Sequence, residues 1–261
     1  QDFRIHYWGG RGLLGSFRQL GEILHSKNLP RLVIAVFVFA KALEATDILN
    51  DIANEIRPKE MERGSADKWL EKHLKELGKS KKWRQIASIV KRAKEEAGKI
   101  EVKDVKTIRI VLAGDLFKVH EPFLHFDTIR KLNSLGAEVK QPQNFSMLFM
   151  GMNKMPLFGK YSKEFKRLSN KSKKYMKTLP ASYFDLGIGE IMDELENGAE
   201  GIVHFQSFGC MPDIMLKPIL DRVAKDFNVP IIHFMRDTHA SDVAYETRLE
   251  AFMDLIKRKN I

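Results

Sequence analysis

Along the chain the spacing of apolar positions changes near residue 107, separating a helical part from a part in which short apolar runs alternate with helical stretches. Upstream, Leu14, Phe17, Leu20, Ile23 and Leu24 recur at near-helical spacing and predict a helix over Leu13–His25. From Pro30 to Gly98 the pattern stays helical: a core helix runs through Leu43 and Ile52 and breaks at Arg57-Pro58. Two charged helices follow, around Trp69–Leu77 and Trp83–Ala97, with Gly78-Lys79-Ser80 as the turn of an exposed hairpin. The longest apolar run, Val33–Ala40, lies between Arg31 and Lys41 and falls well short of the roughly 20 residues that span a bilayer. It therefore reads as a buried core element.

From Thr107 to Gly114 a β-branched run ending in glycine predicts a buried strand. A loop (Asp115–Pro122), a helix (Phe123–Leu135, stopped by Gly136) and a strand (Ala137–Lys140) complete a β-α-β unit. The second unit reads as helix Phe184–Asn197, strand Gly201–Phe205, loop Gln206–Met211 and helix Pro212–Phe227. Strand Val229–Phe234, loop Met235–Ala240 and helix Ser241–Lys257 close it. The order implies an α/β fold with a parallel, Rossmann/flavodoxin-like sheet and an inserted or linking helical region. Residues 1–104 read as the remainder of an N-terminal α/β domain plus the hairpin, and 105–261 as a C-terminal parallel α/β domain.

With 44% hydrophobic and 30% charged residues, the composition is that of a folded globular protein without a membrane span. The net charge of +10 admits a polyanion, a phosphate-bearing small molecule or simply a lysine-rich solvated surface. Lys160–Lys177 interleaves bases with Tyr161, Phe165, Leu168 and Tyr175, yet no nucleic-acid motif accompanies it. It reads as an amphipathic helix with a wet basic face. A single cysteine cannot make an internal disulfide, which suits a reducing cytoplasm, and the start at Gln1 suits a processed or truncated piece.

Ligands of open parallel sheets bind beyond the carboxyl ends of the strands. Three loops converge there: Gly114-Asp115-Leu116-Phe117, Ser207-Phe208-Gly209-Cys210-Met211-Pro212 and Arg236-Asp237-Thr238-His239. Pro212 suits the first turn of a helix, so the Cys210 sulfur faces its positive end, a setting for attack on electrophiles or for metal binding. Cys210 also fits a small buried hydrophobe, or a nucleophile served by His239 and Asp237. Asp237 fits a cap of the following turn equally well, and His204 and His233, inside strands, read as satisfied structural residues. Gly9, Gly10, Gly12 and Gly15 do not match the spacing of a dinucleotide-binding loop.

The run Gly201–Asp213 containing Phe208-Gly209-Cys210-Met211-Pro212, then Val229-Pro230-Ile231-Ile232, Asp237-Thr238-His239 and Thr247-Arg248-Leu249-Glu250-Ala251-Phe252, resembles the 2-hydroxyacyl-CoA dehydratase and CoA-enzyme activase-related family. Gly114–Val119 with Pro122-Phe123-Leu124 is similar to that family's strand-ending segment. The resemblance implies a 4Fe-4S iron–sulfur protein of low-potential electron transfer or CoA-thioester dehydration. It implies Cys210 as a metal ligand, with Gly209, Asp115, Asp237 and His239 lining the cofactor site. Gly10-Arg11-Gly12-Leu13-Leu14-Gly15 lacks the family's cysteine there, and Asp237-Thr238-His239 replaces Asp-Glu-His. The other ligands are then expected from an upstream region. Implied partners are a CoA thioester and a redox or activator protein, with homo-oligomerisation left open. The alternative is a cluster-free binding or scaffold module that meets a CoA-like or protein partner through its basic surface. Thr247–Phe252 reads more simply as a helix packing Leu249, Phe252 and Leu255 inward.

Overall fold

The computed structural model describes residues 28–142, 144–152, 159–176, 182–236 and 242–259. The predicted helix Leu13–His25, the glycines around Gly12, and Asp237-Thr238-His239 lie outside them. Helix α1 (Leu29–Ile56) begins where the Asn28 side chain accepts a hydrogen bond from the Arg31 amide, with Pro30 in the first turn. Its second half carries Ala45, Leu49 and Ala53 into a core with Trp69, Leu70 and Leu77 of α2 (Ser65–Gly78) and Ile86 and Ala93 of α3 (Trp83–Ala97). The α2–α3 hairpin thus has a wet outer face only. Its inner face is docked on α1, and the Trp69 indole donates to the Ala93 carbonyl at 3.0 Å.

Val33–Ala40 departs from the expected buried element. Leu32 and Ala40 are buried, but Ile34 and Phe39 are 61% and 53% exposed. The run is helical, so successive residues point around the axis and only one stripe of it can meet Met150 and Phe149 of α6 (Phe145–Met152).

Strands β1 (Ile108–Gly114), β2 (Ala137–Lys140), β3 (Gly201–Ser207) and β4 (Ile231–Arg236) form one sheet in the order β2-β1-β3-β4, parallel throughout. The α/β parallel-sheet class expected from the pattern is the class observed. Ile110, Leu112, Val203, Phe205 and Phe234 face one side, and Val111, Ala113 and Ile202 the other, following the period of two. On the first side lie α5 (Thr128–Ser134) and α10 (Asp242–Lys259); on the second lie α8 (Ser182–Glu196) and α9 (Met211–Asp226). No described helix is long and apolar enough to cross a membrane.

Two local readings differ from the structure. The expected loop after β1 contains a short helix, α4 (Leu116–His120), and the next helix starts at Thr128 rather than Phe123. Pro122 and the left-handed residues Phe126 and Asp127 interrupt what apolar spacing presents as one helix. In α10, Leu249, Phe252, Met253 and Ile256 are buried whereas Leu255 is 56% exposed. The stripe follows i, i+3, i+4, i+7 from Leu249, and Leu255 falls off it.

The basic segment forms α7 (Gly159–Ser172), packed through Leu168. Two of its cations are tied to acids: Arg167 pairs with Glu164 and Asp193, and Lys171 with Asp193 and Glu196.

Candidate functional site at the carboxyl edge of the sheet

From β1 the chain runs first to β2 on one side and later to β3 on the other, so the connections diverge between β1 and β3. A crevice opens at such a switch point, beyond the carboxyl ends of the two strands. Gly114 ends β1 with φ +148°, and a Cβ built there would lie 2.6 Å from the Phe205 carbonyl oxygen, so only glycine allows this approach of the strand ends. Asp115 follows as the cap of α4, its carboxylate accepting from the Phe117 amide at 3.0 Å. That bond uses one of the oxygens the sequence offers to a cofactor.

On the β3 side the chain turns through Phe208 and Gly209, whose φ of +72° a residue with a Cβ rarely adopts. Cys210 then caps α9 with extended backbone, its carbonyl accepting from the Ile214 amide and its side chain making no capping bond. The thiol is free and partly exposed, so Cys210 is not a buried hydrophobe. Asp213, in the first turn of α9, fixes the loop: one carboxylate oxygen accepts from the Ser207 amide at 2.8 Å and from Lys118 of α4 at 3.2 Å. Asp213 is fully buried and its other oxygen has no hydrogen-bond partner. Lys118 and Asp213 thereby tie together the two helices that leave β1 and β3.

Beneath this loop, between the sheet and α9, lies a polar chain. His204 of β3 and His233 of β4 are paired in register, with their Nδ1 atoms 2.8 Å apart. His233 Nε2 lies 2.7 Å from Asp221 of α9. Burial, with the neighbouring His233 next in effect, pushes His204 down to about 3; burial also lowers His233, against the pull of Asp221. His204 Nε2 is buried without a partner. The structural role expected of these two histidines is therefore satisfied at three of their four ring nitrogens. Asp213 and Lys118 carry no recognisable signal beyond an aspartate three residues after the cap, a position where helices favour carboxylates.

The edge is also apolar. Phe117, Phe208 and Met211 are 66%, 78% and 71% exposed; Ile214 and Met215, a turn along α9, and Met235, near the end of β4, are exposed as well. Of the residues expected to form the site, Asp115, Gly209 and Cys210 stand at the ends of the adjacent strands β1 and β3; Asp237 and His239 lie outside the described residues. Among the described residues no group of three or more histidine, cysteine or acidic side chains is placed to hold a metal ion. A cubane cluster takes about four ligands, mostly thiolates, and the chain has one cysteine, so its own residues do not fit a complete cluster. Compared with known proteins, the chain matches no protein-family model and no curated protein.

Proposed function

We propose that the chain works through the carboxyl edge of its sheet, with Cys210 supplying one thiolate to an iron–sulfur cluster whose other ligands come from outside this sequence. The reading follows the resemblance to the 2-hydroxyacyl-CoA dehydratase and activase-related proteins, and its task would be low-potential electron transfer or dehydration of a CoA thioester. The observation that supports it is the position of Cys210: a free, partly exposed thiol at the start of a 16-residue helix, beside the β1–β3 switch point. Amide groups at a helix start suit an anionic ligand and tune a metal bound there. The exposed Phe117, Phe208 and Met211 would give the edge a dry rim against a partner surface or an acyl chain.

The test is anaerobic reconstitution of the protein together with its upstream region or partner, followed by iron counting and electron paramagnetic resonance. Cys210→Ala is expected to lose iron and change the signal. Equal iron in variant and wild type would remove Cys210 from the ligand set and favour a cluster-free binding module, for which the net charge of +10 is the supporting observation. In that case CoA binding that weakens with added salt is the expected signature.

A further inference from the structure

Hydrogen-bond accounting fixes the protons on the histidine pair. Burial is the largest influence on Asp221 and opposes ionisation, but bonds from Lys217 and His233 outweigh it and hold the carboxyl below its ordinary range. The ionised carboxylate can only accept, so the proton in its 2.7 Å contact sits on His233 Nε2. Neutral His233 then offers a bare Nδ1, and across 2.8 Å His204 Nδ1 must be the donor. His204 Nε2 is left as a bare, buried acceptor. The three residues thus form a row of alternating donors and acceptors with one end at the surface, where Asp221 is 43% exposed, and one end inside.

We propose that Asp221, His233 and His204 are a proton relay between the solvent-exposed Asp221 carboxylate on α9 and the buried layer between β3 and α9. A proton given up by an acid at the buried end, whose own bond to that hydrogen breaks, forms one N–H bond at His204 Nε2. The Nδ1 proton passes to His233 Nδ1, and the Nε2 proton of His233 passes to the Asp221 carboxylate, which releases it to water. At each step one bond to hydrogen forms and one breaks, and the reverse sequence carries a proton inward. No electron moves and no further reactant is needed. Asp213, which has a buried oxygen without a hydrogen-bond partner, and Lys118 both act electrostatically on His204. The remaining charges around the row are Lys217 on α9, which pairs with Asp221, and Arg248 on α10, which donates to the His233 carbonyl. Only the destination of the proton, the Cys210 edge, rests on the proposed function.

The experiment uses the protein labelled with 15N-histidine and with no iron added, so that iron content judges the cluster and proton exchange judges the relay. Long-range 1H–15N spectra are expected to show His204 protonated at Nδ1 and His233 at Nε2. The His204 Nδ1 proton should exchange with solvent at least about a hundredfold faster than the amides of the buried strand β3. Asp221→Asn keeps an acceptor for His233 but cannot carry a proton, and should slow that exchange at least about a hundredfold, the lower end of what a positioned acid–base group contributes. Asp221→Glu should restore it. Exchange as slow as the β3 amides, an unchanged rate in Asp221→Asn, or His204 protonated at Nε2 in the wild type would each overturn the relay.

Discussion

Lys118 of α4 and Asp213 of α9 meet at 3.2 Å across the ends of β1 and β3, with Asp213 fully buried and Lys118 nearly so. Among the described residues the Asp213 carboxylate is otherwise held only by the Ser207 amide, at 2.8 Å. Removing the lysine strands a buried carboxylate, which typically costs about 3–5 kcal/mol. Lys118→Met is therefore expected to lower the denaturant midpoint strongly. The double variant Lys118→Met, Asp213→Leu should recover part of that loss, because the uncompensated charge is gone. A single variant no weaker than wild type would show that the pair does not hold the loop.

A second ionisable group is held at a cost elsewhere. Asp51 of α1 sits among Asp47, Glu55 and Glu194, and burial, partly offset by Lys140, raises its carboxyl to about 7. A carboxyl whose folded value lies above its unfolded one favours folding below the unfolded value, and that benefit is lost as the pH rises through the folded value. Asp51→Asn should therefore stabilise at pH 8, by up to about 4 kcal/mol, and the gain should vanish near pH 4. Chemical unfolding at the two pH values measures it. An equal effect at both would mean that the carboxylate is not strained.

The sheet was legible because its strands are short apolar β-branched runs separated by helices, a pattern with few alternative folds. Cys210 at the head of α9 was legible from Pro212 two residues on. The Lys118–Asp213 tie was not, since the two residues are 95 positions apart and nothing local marks either as a partner. The His204–His233 contact needed the strand register, and a shift by one residue would place the two rings on opposite faces. Val33–Ala40 misled for a different reason: an unbroken apolar run carries no period, so it cannot say which of its residues meet a neighbour.

Exposure in α10 separates two leucines of the same helix. Leu249 is 1% exposed among Phe252, Met253 and Tyr245, whereas Leu255 is 56% exposed. Leu249→Ala should cost about 2–5 kcal/mol through lost burial and the cavity it leaves. Leu255→Ala should stay within about 0.5 kcal/mol of wild type. Comparable losses for the two would mean that α10 is rotated on the sheet from the orientation described.

The buried histidines set the acid limb of stability. Burial drives the pKa of His204 to about 3, and it also lowers His125, whose Nδ1 accepts from the Thr128 amide, and His233. With folded values below the unfolded value of about 6.5, the unfolded chain binds more protons. Their contribution is complete above pH 6.5 and falls as the pH drops towards the folded values, by about 1.4 kcal/mol per pH unit for each histidine that stays neutral. Asp51, Asp47 and Glu194 act in the opposite direction over much of the same range, since burial raises all three. The wild-type profile is therefore a difference, and one histidine must be isolated by comparison. His204→Gln removes one titrating group, so its disadvantage relative to wild type should shrink by about 1.4 kcal/mol per pH unit between pH 6 and 4.5. Asp193, held down to about 2 first by Arg167, titrates below that window and leaves the slope untouched. A disadvantage that is constant from pH 7 to 4.5 would mean that His204 takes up its proton in the folded protein as readily as in the unfolded chain.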